Sequence, residues 1–499
     1  MLESSIARLC AALLSCWFAV SCGPAEVETN PSDPGAESEL VGILSADKPR
    51  HVLLIVIDTL RADHLGCYGY WRDTSPHMDA LAAGGVRFNR AIAQSSWTSP
   101  SMITMMVGQR LSARRLAIPE DKPTLAELFR DSGFRTGAFV ANPLLNEENG
   151  FHRGFDHWHL DSQRALNDLR PVQDWLRAER DNDTFTWVHF TDPHDPYNPP
   201  KSTMSGEIGR FHGQTELLMR QAVEREGYGG LEQQSRFIAE QIGRYDDEIV
   251  SVDRKVGELL ATQARTGNLD NTLVIVTSDH GECLWQRNEA DIAVALQSKE
   301  RDKKGVETRL KHRLKQTHGT FVYQELVRVP LIFSGPGLSA EVIERVAESV
   351  SLPSTILALA GVDLREFPAL EGGNYFGLGM PGGGYTMTDQ GEAFIGEDNW
   401  KLILPTDSGL TSFGMQVQLY NLSEDPEELN NLAQAFPQRV AQFRAQIEER
   451  RLRALPLESG DSWAEAARKN AEALAGLGYT GGGFLDAAQE PTGSDSKEE

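Results

Sequence analysis

The stretch Val52-Leu53-Leu54-Ile55-Val56-Ile57, followed directly by Asp58, decides the fold of this 499-residue chain. An unbroken apolar run of this length is typical of a strand covered on both faces, as the strands of parallel sheets are. Asp58 stands where that strand ends. Because open α/β sheets bind ligands outside the carboxyl ends of their strands, the stretch predicts a buried central strand with an acidic side chain at a binding edge.

Strands and helices alternate along the residues that follow. This alternation predicts an α/β domain over 49–384, with a doubly wound, mainly parallel central sheet flanked by helices. Short antiparallel strands and a polar helix then predict a smaller C-terminal α+β subdomain over 385–479. The predicted strands span 136–140, 186–190, 273–276, 329–334, 393–395, 400–404 and 417–421, and the predicted helices span 76–84, 100–107, 124–133, 236–264, 352–360 and 437–451.

The two ends of the chain carry segments outside these domains. An apolar run within 1–21, with small residues before Cys22, predicts a signal peptide of the lipoprotein type. An ordinary signal peptide cleaved nearby is the alternative. We expect 22–48 to form a flexible acidic tether and 480–499 a disordered tail. The protein is therefore expected to be exported and lipid-anchored in the bacterial cell envelope, at the outer membrane or in the periplasm.

The charge and the cysteines limit the classes of partner. A formal net charge of -24 argues against nucleic acid and against attraction to anionic membrane surfaces, so a lipid anchor is the expected membrane contact. An anionic substrate would need a locally positive site, such as a bound metal. Cys67 and Cys283 are either free thiols or one bridge, and the cysteine spacing suits neither a disulfide scaffold nor a zinc knuckle.

Three polar clusters each follow a predicted strand directly. They are Asp58, Asp192 with His194, and Asp279 with His280. Because the carboxyl ends of parallel strands meet at one edge of the sheet, this recurrence predicts a single site there.

A hydroxyl-rich stretch, Ser96-Trp97-Thr98-Ser99-Pro100-Ser101-Met102, precedes the predicted helix that ends at Gly108. Proline suits the first helical position, and a hydroxyl beside a helix N-terminus is a natural seat for a phosphate-like or sulfate-like anion. Thr98 or Ser99 as an ordinary N-cap is the alternative. Ser99 and Ser101 also remain candidates for the working hydroxyl.

The residue types in these clusters suit one divalent cation. Asp58, Asp279 and His280, with the Thr98 hydroxyl, supply oxygen and imidazole ligands that Mg, Mn, Ca and Zn all accept. Such a metal would lower the pKa of the hydroxyl and neutralise charge on a transferring oxyanion. Thr98 would then form a covalent intermediate as a nucleophile.

Other polar residues are candidates for substrate contacts. His194 and His318 would contact ester oxygens or protonate a leaving group, or each is an ordinary capped-turn or surface imidazole. Arg61 would bind the anion, support Asp58 or form a surface ion pair. Asp192 and Ser101 are further substrate-binding candidates, and a second metal near Asp192, His194 and His318 is left open.

Several segments together resemble the sulfatase family of the alkaline phosphatase superfamily. The blocks IDTLRADHLGCYG at 57–69 and TSDHGE at 277–282 resemble its two metal motifs, and Thr98-Ser99-Pro100-Ser101 lies where its members carry Cys/Ser-x-Pro-Ser-Arg. The resemblance covers about residues 50–480 and implies an alkaline-phosphatase-like fold and metal-dependent ester hydrolysis. Further blocks are TSPHMDALA at 74–82, GVRF at 85–88, HG at 318–319, RVPLI at 328–332, LYNLSEDPE at 419–427 and GLGY at 476–479.

The chain departs from the family pattern at the nucleophile. Sulfatases convert Cys or Ser there to formylglycine, an aldehyde that Thr98 cannot yield because its Cβ carries a methyl group. Met102 replaces the arginine of that signature, and Thr59 replaces an aspartate of the first motif. His280 and His318 stand where many sulfatases have Asn and Lys. This set is more similar to phosphoryl-transferring branches of the superfamily.

A basic stretch at 299–315 carries eight Lys and Arg against three acids. It is either a solvated helical insertion or a lid that attracts an anionic glycan or lipid head group.

Three functions remain open. The first is a hydrolase of sulfate or phosphate esters on a small molecule, glycan or lipid head group. The second is a phosphoglycerol- or phosphoethanolamine-type transferase of the envelope. The third is a non-catalytic relative that binds an anionic glycan.

Overall fold

The computed structural model describes residues 48–111, 115–161, 166–199, 231–284, 318–366, 370–377, 382–406, 416–455 and 468–477. The expected signal peptide, the tether up to residue 47, the basic stretch at 299–315 and the expected tail lie outside these ranges. Within them, no helix combines the length and the apolar composition that crossing a membrane requires.

The order of the elements follows the predicted alternation. The strands are β1 (His51–Ile57), β2 (Val86–Ile92), β3 (Arg135–Val140), β4 (His157–Leu160), β5 (Thr184–Phe190), β6 (Thr272–Thr277), β7 (Arg328–Val329), β8 (Leu331–Ser334), β9 (Glu341–Glu348), β10 (Gly384–Met387), β11 (Gly391–Ile395), β12 (Trp400–Pro405) and β13 (Gln418–Asn421). The helices are α1 (Pro76–Gly84), α2 (Thr98–Val107), α3 (Leu125–Asp131), α4 (Arg170–Ala178), α5 (Leu231–Thr266), α6 (Gln324–Val327), α7 (Leu352–Leu359), α8 (Pro437–Arg453) and α9 (Ala471–Gly476).

The large sheet has the strand order β4-β3-β5-β1-β6-β8-β2-β7, and β9 pairs with β2. The strands from β4 to β6 in this order are mutually parallel. β8 is antiparallel to both β6 and β2, whereas β9 is parallel to β2. Every residue of β1 is buried, as a strand at the middle of a covered sheet must be. The predicted doubly wound, mainly parallel α/β fold is confirmed.

Several details differ from the prediction. The strand at 329–334 is split at Pro330, which has no N–H to give to a ladder. Helix α2 begins at Thr98 rather than at Pro100. Strands β2 and β9 were not predicted, because each carries charged residues on a partly exposed face. Strands β4 and β10 and helices α4, α6 and α9 were not predicted either.

Helix α5 locks the loop between β1 and α1 in place. The carboxylate of Asp246, which is fully buried, accepts hydrogen bonds from His64 Nδ1, Tyr70 Oη and Arg72 Nη1, each at 2.8 Å. About two turns further along α5, Asp253 accepts from the backbone of Met78 at 2.9 Å, in the first turn of α1. A carboxylate from one helix therefore satisfies free N–H groups at the start of another.

The C-terminal part forms an antiparallel sheet in the order β10-β11-β12-β13. Helix α8 packs on it, with Phe443 and Ile447 in one apolar cluster with Leu402 and Leu419. This small sheet and its helix are the predicted α+β subdomain. Cys67 and Cys283, the two cysteines in the described part of the chain, are not joined in a disulfide.

Candidate active site

The ends of β1 and β6 bring the expected metal ligands together. These strands are adjacent and parallel, with Val56 paired with Thr277, so the residues that follow them share one edge. Asp58, Asp279 and His280 are each fully buried and each offer one ligand atom within 4.8 Å of the others. The register of two neighbouring strands therefore assembles a site from residues far apart in the chain.

Each carboxylate has one oxygen held by the protein and one that is not. Asp58 Oδ2 accepts from Asn142 Nδ2 at 2.8 Å. Asp279 Oδ1 accepts from the backbone N–H groups of Thr59 at 3.2 Å and His280 at 2.8 Å. Asp58 Oδ1 and Asp279 Oδ2 are buried and accept no hydrogen bond from the described residues. Burial, and then the charge of Asp279, raise the pKa of Asp58 well above its usual range, so this pair favours a cation between its members.

His280 completes the donor set through Nε2. Its Nδ1 donates to the carbonyl of Gly281 at 2.9 Å, which leaves the lone pair on Nε2. Nε2 lies 3.5 Å from Asp279 Oδ2 and 3.7 Å from Asp58 Oδ1. Burial lowers the pKa of His280, so the ring is neutral and its Nε2 is available as a ligand.

Thr98 lies at the first position of the buried helix α2. Its Oγ1 donates to His280 Nε2 at 3.2 Å. Trp97 occupies the N-cap position, without a capping side chain, so neither Thr98 nor Ser99 is the cap. The helix ends at Gly108, where φ is +64°, a conformation that glycine adopts at little cost. The hydroxyl of Thr98 therefore faces the cluster instead of closing its own helix.

The other two hydroxyls of the stretch lie differently. Ser101 Oγ donates to the carbonyl of Ser95 at 2.8 Å and accepts from its N–H at 3.1 Å. These bonds tie the turn before the helix to its first turn. Ser99 Oγ is buried and has no hydrogen-bond partner among the described residues. Substrate binding by Ser101 stays a prediction, while its contacts assign it a role in holding the turn.

Three neutral imidazoles line the same place. The ring centroid of His318 lies 4.7 Å from that of His280 and 4.9 Å from that of His194. Nδ1 of His318 donates to Glu282 Oε1 at 3.1 Å, and Nδ1 of His194 donates to the carbonyl of Asp195 at 2.6 Å. Burial lowers the pKa of both His194 and His318 to about 4. At neutral pH these rings act as oriented hydrogen-bonding groups rather than as cations.

Arg61 and Asp192 are engaged with neighbouring side chains. Arg61 forms a two-pronged ion pair with Asp63, at 2.9 Å from Nε and 2.6 Å from Nη2, and its Nη1 donates to the carbonyl of Glu282 at 3.2 Å. Asp192 Oδ2 lies 2.9 Å from Lys255 Nζ. These contacts favour the alternative in which Arg61 supports the loop that follows Asp58. Anion binding by Arg61 and substrate binding by Asp192 stay predictions.

Glu248 lies near Asp192 and sets a pH-dependence of stability. Burial, and then the charge of Asp192, raise the pKa of Glu248 to about 9. At neutral pH the folded protein therefore keeps the proton of Glu248. The unfolded chain, in which the pKa of this carboxyl has its ordinary value of 4.5, releases it. Stability from this group is fully present below about pH 4.5 and falls as the pH rises towards 9.

We expect Glu248→Gln to be more stable than the unchanged protein at pH 8, by on the order of 2 kcal/mol, and similar to it at pH 5. Urea unfolding at both pH values measures the difference. Glu258→Gln, at an exposed position on the same helix, is the control. Equal shifts of stability with pH in all three proteins would show that Glu248 does not stay protonated.

The structure also adds three residues that the sequence analysis did not assign. Asn142, just beyond β3, holds Asp58, and Glu282 orients His318. His189 on β5 is fully buried, and neither ring nitrogen has a hydrogen-bond partner among the described residues. The strand-end rule, applied to β3, would have indicated Asn142. Glu282 lies inside the quoted motif, whereas nothing local in the sequence distinguishes His189.

The chain belongs to the sulfatase family, since the family model described as Sulfatase matches residues 50–362. The resemblance seen in the motifs is thereby confirmed at the level of the family, whose members are ester hydrolases. The chain is 23% identical over 451 residues to an uncharacterized sulfatase, YidJ, of Escherichia coli (strain K12), a match covering 77% of this chain and 83% of that protein. It is 26% identical over 358 residues to arylsulfatase A of Homo sapiens, covering 64% and 66% of the two chains.

Solved structures share the fold. One is a protein in complex with its substrate D-glucosamine-2-N,6-O-disulfate, with a TM-score of 0.60 at 18% identity, covering 81% of this chain and 97% of that one. Another is a phosphonate monoester hydrolase of Agrobacterium radiobacter, with a TM-score of 0.56 at 18% identity, covering 82% and 96%. One fold therefore carries both sulfatases and a phosphonate hydrolase.

Proposed function

We propose that this protein is a metal-dependent hydrolase of sulfate or phosphate esters and that Thr98 is its nucleophile. The observation that carries the proposal is the position of Thr98 Oγ1. It lies 3.2 Å from the Nε2 atom of His280, at the start of a buried helix. Two buried carboxylate oxygens that accept no hydrogen bond from the described residues lie 3.5 and 3.7 Å from the same nitrogen.

The donor set fits one divalent cation. Two carboxylates and a neutral imidazole, all buried, face one another at ligand spacing, and the Thr98 hydroxyl would be a fourth donor. Mg, Mn, Ca and Zn all accept such ligands. When bound, the cation would lower the pKa of the Thr98 hydroxyl and offset charge on the transferring group. Asn142 would keep Asp58 oriented towards it.

The chemistry then follows from the chain's own groups. The Thr98 hydroxyl loses its proton, and its oxygen bonds to the phosphorus or sulfur of the ester while the bond to the leaving alkoxide breaks. The alkoxide takes up one proton, so that the proton Thr98 releases is balanced. His194 and His318, whose rings contact each other, would hydrogen-bond the ester oxygens, and Glu282 would fix which nitrogen of His318 carries the proton. Water then attacks the phosphoryl or sulfuryl group on Thr98, releases it and restores the hydroxyl.

Thr98 favours phosphate or phosphonate esters over sulfate esters. A threonine cannot form the aldehyde hydrate by which formylglycine expels sulfate, so a sulfated threonine would be slow to break down. A phosphorylated threonine is a more plausible intermediate. The similarity in fold to a phosphonate monoester hydrolase supports this order. A similar structure with a bound sulfated sugar supports an anionic glycan as substrate, with a phosphorylated lipid head group as the alternative.

The same intermediate serves a transferase when an alcohol replaces water as the acceptor.

We also propose that the protein is exported and anchored by a lipid on Cys22. This location rests on the N-terminal sequence alone.

A substrate panel tests the proposed function. Metal-reconstituted protein is assayed with an aryl sulfate, an aryl phosphate monoester, an aryl phosphate diester and an aryl phosphonate ester. We expect turnover of a phosphorus ester at least about tenfold faster than of the sulfate, and loss of turnover after chelation of the metal. Transfer to added glycerol or ethanolamine would indicate the transferase. Absence of both turnover and bound metal would indicate a non-catalytic binding protein.

A further inference from the structure

We propose that a cavity at the edge of β2 binds a second oxyanion, either free or carried by a small sugar. The cavity has a volume of about 600 Å³ and lies between the loop at Gly66–Tyr68, strands β2 and β7, and the C-terminal subdomain. We call it the arginine cavity, after Arg87, Arg90 and Arg328 in its wall. Its lining contains none of the expected metal ligands, and it contains neither His194 nor His318.

Two of its arginines flank one aromatic ring. The guanidinium carbon of Arg87 lies 4.8 Å from the ring centroid of Tyr68, and that of Arg328 lies 5.9 Å from the same centroid. Each ring contact is favourable by itself. Two like charges near one ring nevertheless repel each other, and an anion in the cavity that both arginines line would offset that repulsion.

The close contacts of both guanidiniums in the described part of the chain are with backbone carbonyls and with the Tyr68 ring. Arg87 donates to the carbonyl of Cys67, and Arg328 donates through Nε to the carbonyl of Asn89 at 2.9 Å. Among the described residues, neither one is seen in a close ion pair with a carboxylate, and the charge of Arg328 acts on Asp63 from further away. Since each arginine carries five N–H donors, several remain to face the cavity.

Arg90 shows the contrasting arrangement in the same wall. Its Nη2 lies 2.8 Å from Glu397 Oε2, and its Nη1 donates to Asn399 Oδ1 at 2.6 Å. The acid in the lining, Glu344, accepts a hydrogen bond from Asn89. In this wall, Arg90 and Asn89 therefore have acidic partners among the described residues, whereas Arg87 and Arg328 donate to backbone carbonyls.

Charge and size indicate the ligand. The chain has a net charge of -24, so two guanidiniums without a close carboxylate partner among the described residues make this cavity locally positive. Their planar forks match sulfate, phosphate and carboxylate groups. Cavities that bind small molecules range from about 300 to 1,000 Å³, so the arginine cavity has room for a monosaccharide that carries the anion. This inference does not depend on the chemistry at Thr98.

Equilibrium dialysis with labelled inorganic sulfate, and titration calorimetry with glucosamine 6-sulfate and with glucosamine, test the site. The variants are Arg87→Gln/Arg328→Gln and, as matched control, Arg130→Gln/Arg177→Gln at two exposed helix positions. We expect the cavity variant alone to lose one bound sulfate per chain, or at least tenfold in affinity. Glucosamine should not bind at the cavity in any of the proteins.

A second variant covers the case in which the double substitution disturbs folding. Pro426→Glu places a carboxylate at the exposed rim of the cavity and leaves both arginines in place, and it should weaken sulfate binding at least about threefold. Tighter binding of glucosamine 6-sulfate than of free sulfate would identify a sugar-borne anion as the ligand, and the reverse order would identify the free ion. Unchanged stoichiometry and affinity in both variants would overturn the proposal, whatever the ester assays show.

Discussion

Replacing Thr98 by alanine is expected to lower turnover of a phosphorus ester at least about 10³-fold, which corresponds to about 4 kcal/mol in the activation free energy. The side-chain oxygen is the atom that would form the covalent bond, and alanine offers none. The fold should survive, because the only hydrogen bond of Thr98 Oγ1 in the described structure joins it to His280 and the replacement removes few atoms.

The neighbouring serines provide matched controls. Ser99 has a buried hydroxyl without a partner in the described structure, and Ser101 holds the turn. Ser99→Ala should keep turnover within about threefold, whereas Ser101→Ala should lower the melting temperature before it lowers activity. Thr98→Ser should retain measurable turnover. Mass spectrometry of acid-quenched protein should find the phosphoryl group on the peptide that contains Thr98.

Two results would reassign the nucleophile. Full activity of Thr98→Ala would remove Thr98 from that role. Loss of activity in Ser99→Ala, with the phosphoryl group located on Ser99 instead of Thr98, would give the role to Ser99.

Replacing Asp279 by asparagine is expected to weaken binding of the divalent cation at least about 100-fold and to abolish turnover. Asp279 Oδ2 is buried, has no protein partner among the described residues and lies 3.5 Å from His280 Nε2. An amide supplies a neutral ligand or turns its NH₂ group towards the cation, so the substitution removes charge and donor strength together. Elemental analysis after dialysis against Mn, Zn, Ca and Mg measures the retained metal.

The stability of the metal-free protein should change in the opposite direction. Without a cation, two buried carboxylates face each other, and neutralising one of them removes that repulsion. We therefore expect Asp279→Asn to melt at the same or a higher temperature than the unchanged protein in chelator. Added metal should raise the melting temperature of the unchanged protein only, by mass action.

Asp246→Asn is the matched control for this prediction. Asp246 is equally buried, but it is fully bonded to His64, Tyr70 and Arg72. Its replacement should lower stability and leave the metal content unchanged. Retention of metal by Asp279→Asn at the level of the unchanged protein would exclude Asp279 as a ligand.

The sequence predicted those parts of the site that follow a strong strand. Asp58, Asp279 and His280 were identified because each stands directly after a continuous apolar run, and that signal is local. Asn142 follows a weaker strand and was missed. Three roles were open for Arg61, namely anion binding, support of Asp58 or an ion pair, and the structure shows its guanidinium paired with Asp63, two residues along the chain. A side chain with several donors has several potential partners, and the sequence does not rank them.

The sequence by itself determined the alternation of strands and helices, the membership of the family and the residue types at the strand ends. These follow from local periodicity and from motifs of a few residues. Only the tertiary structure decided that Thr98, rather than Ser99 or Ser101, faces His280, and that Nε2 is the available nitrogen of His280. It also decided that Arg87 and Arg328 contact one ring, with no close carboxylate partner among the described residues. These features depend on hydrogen bonds and strand registers between segments far apart in the chain, and such contacts are set by how the whole core packs.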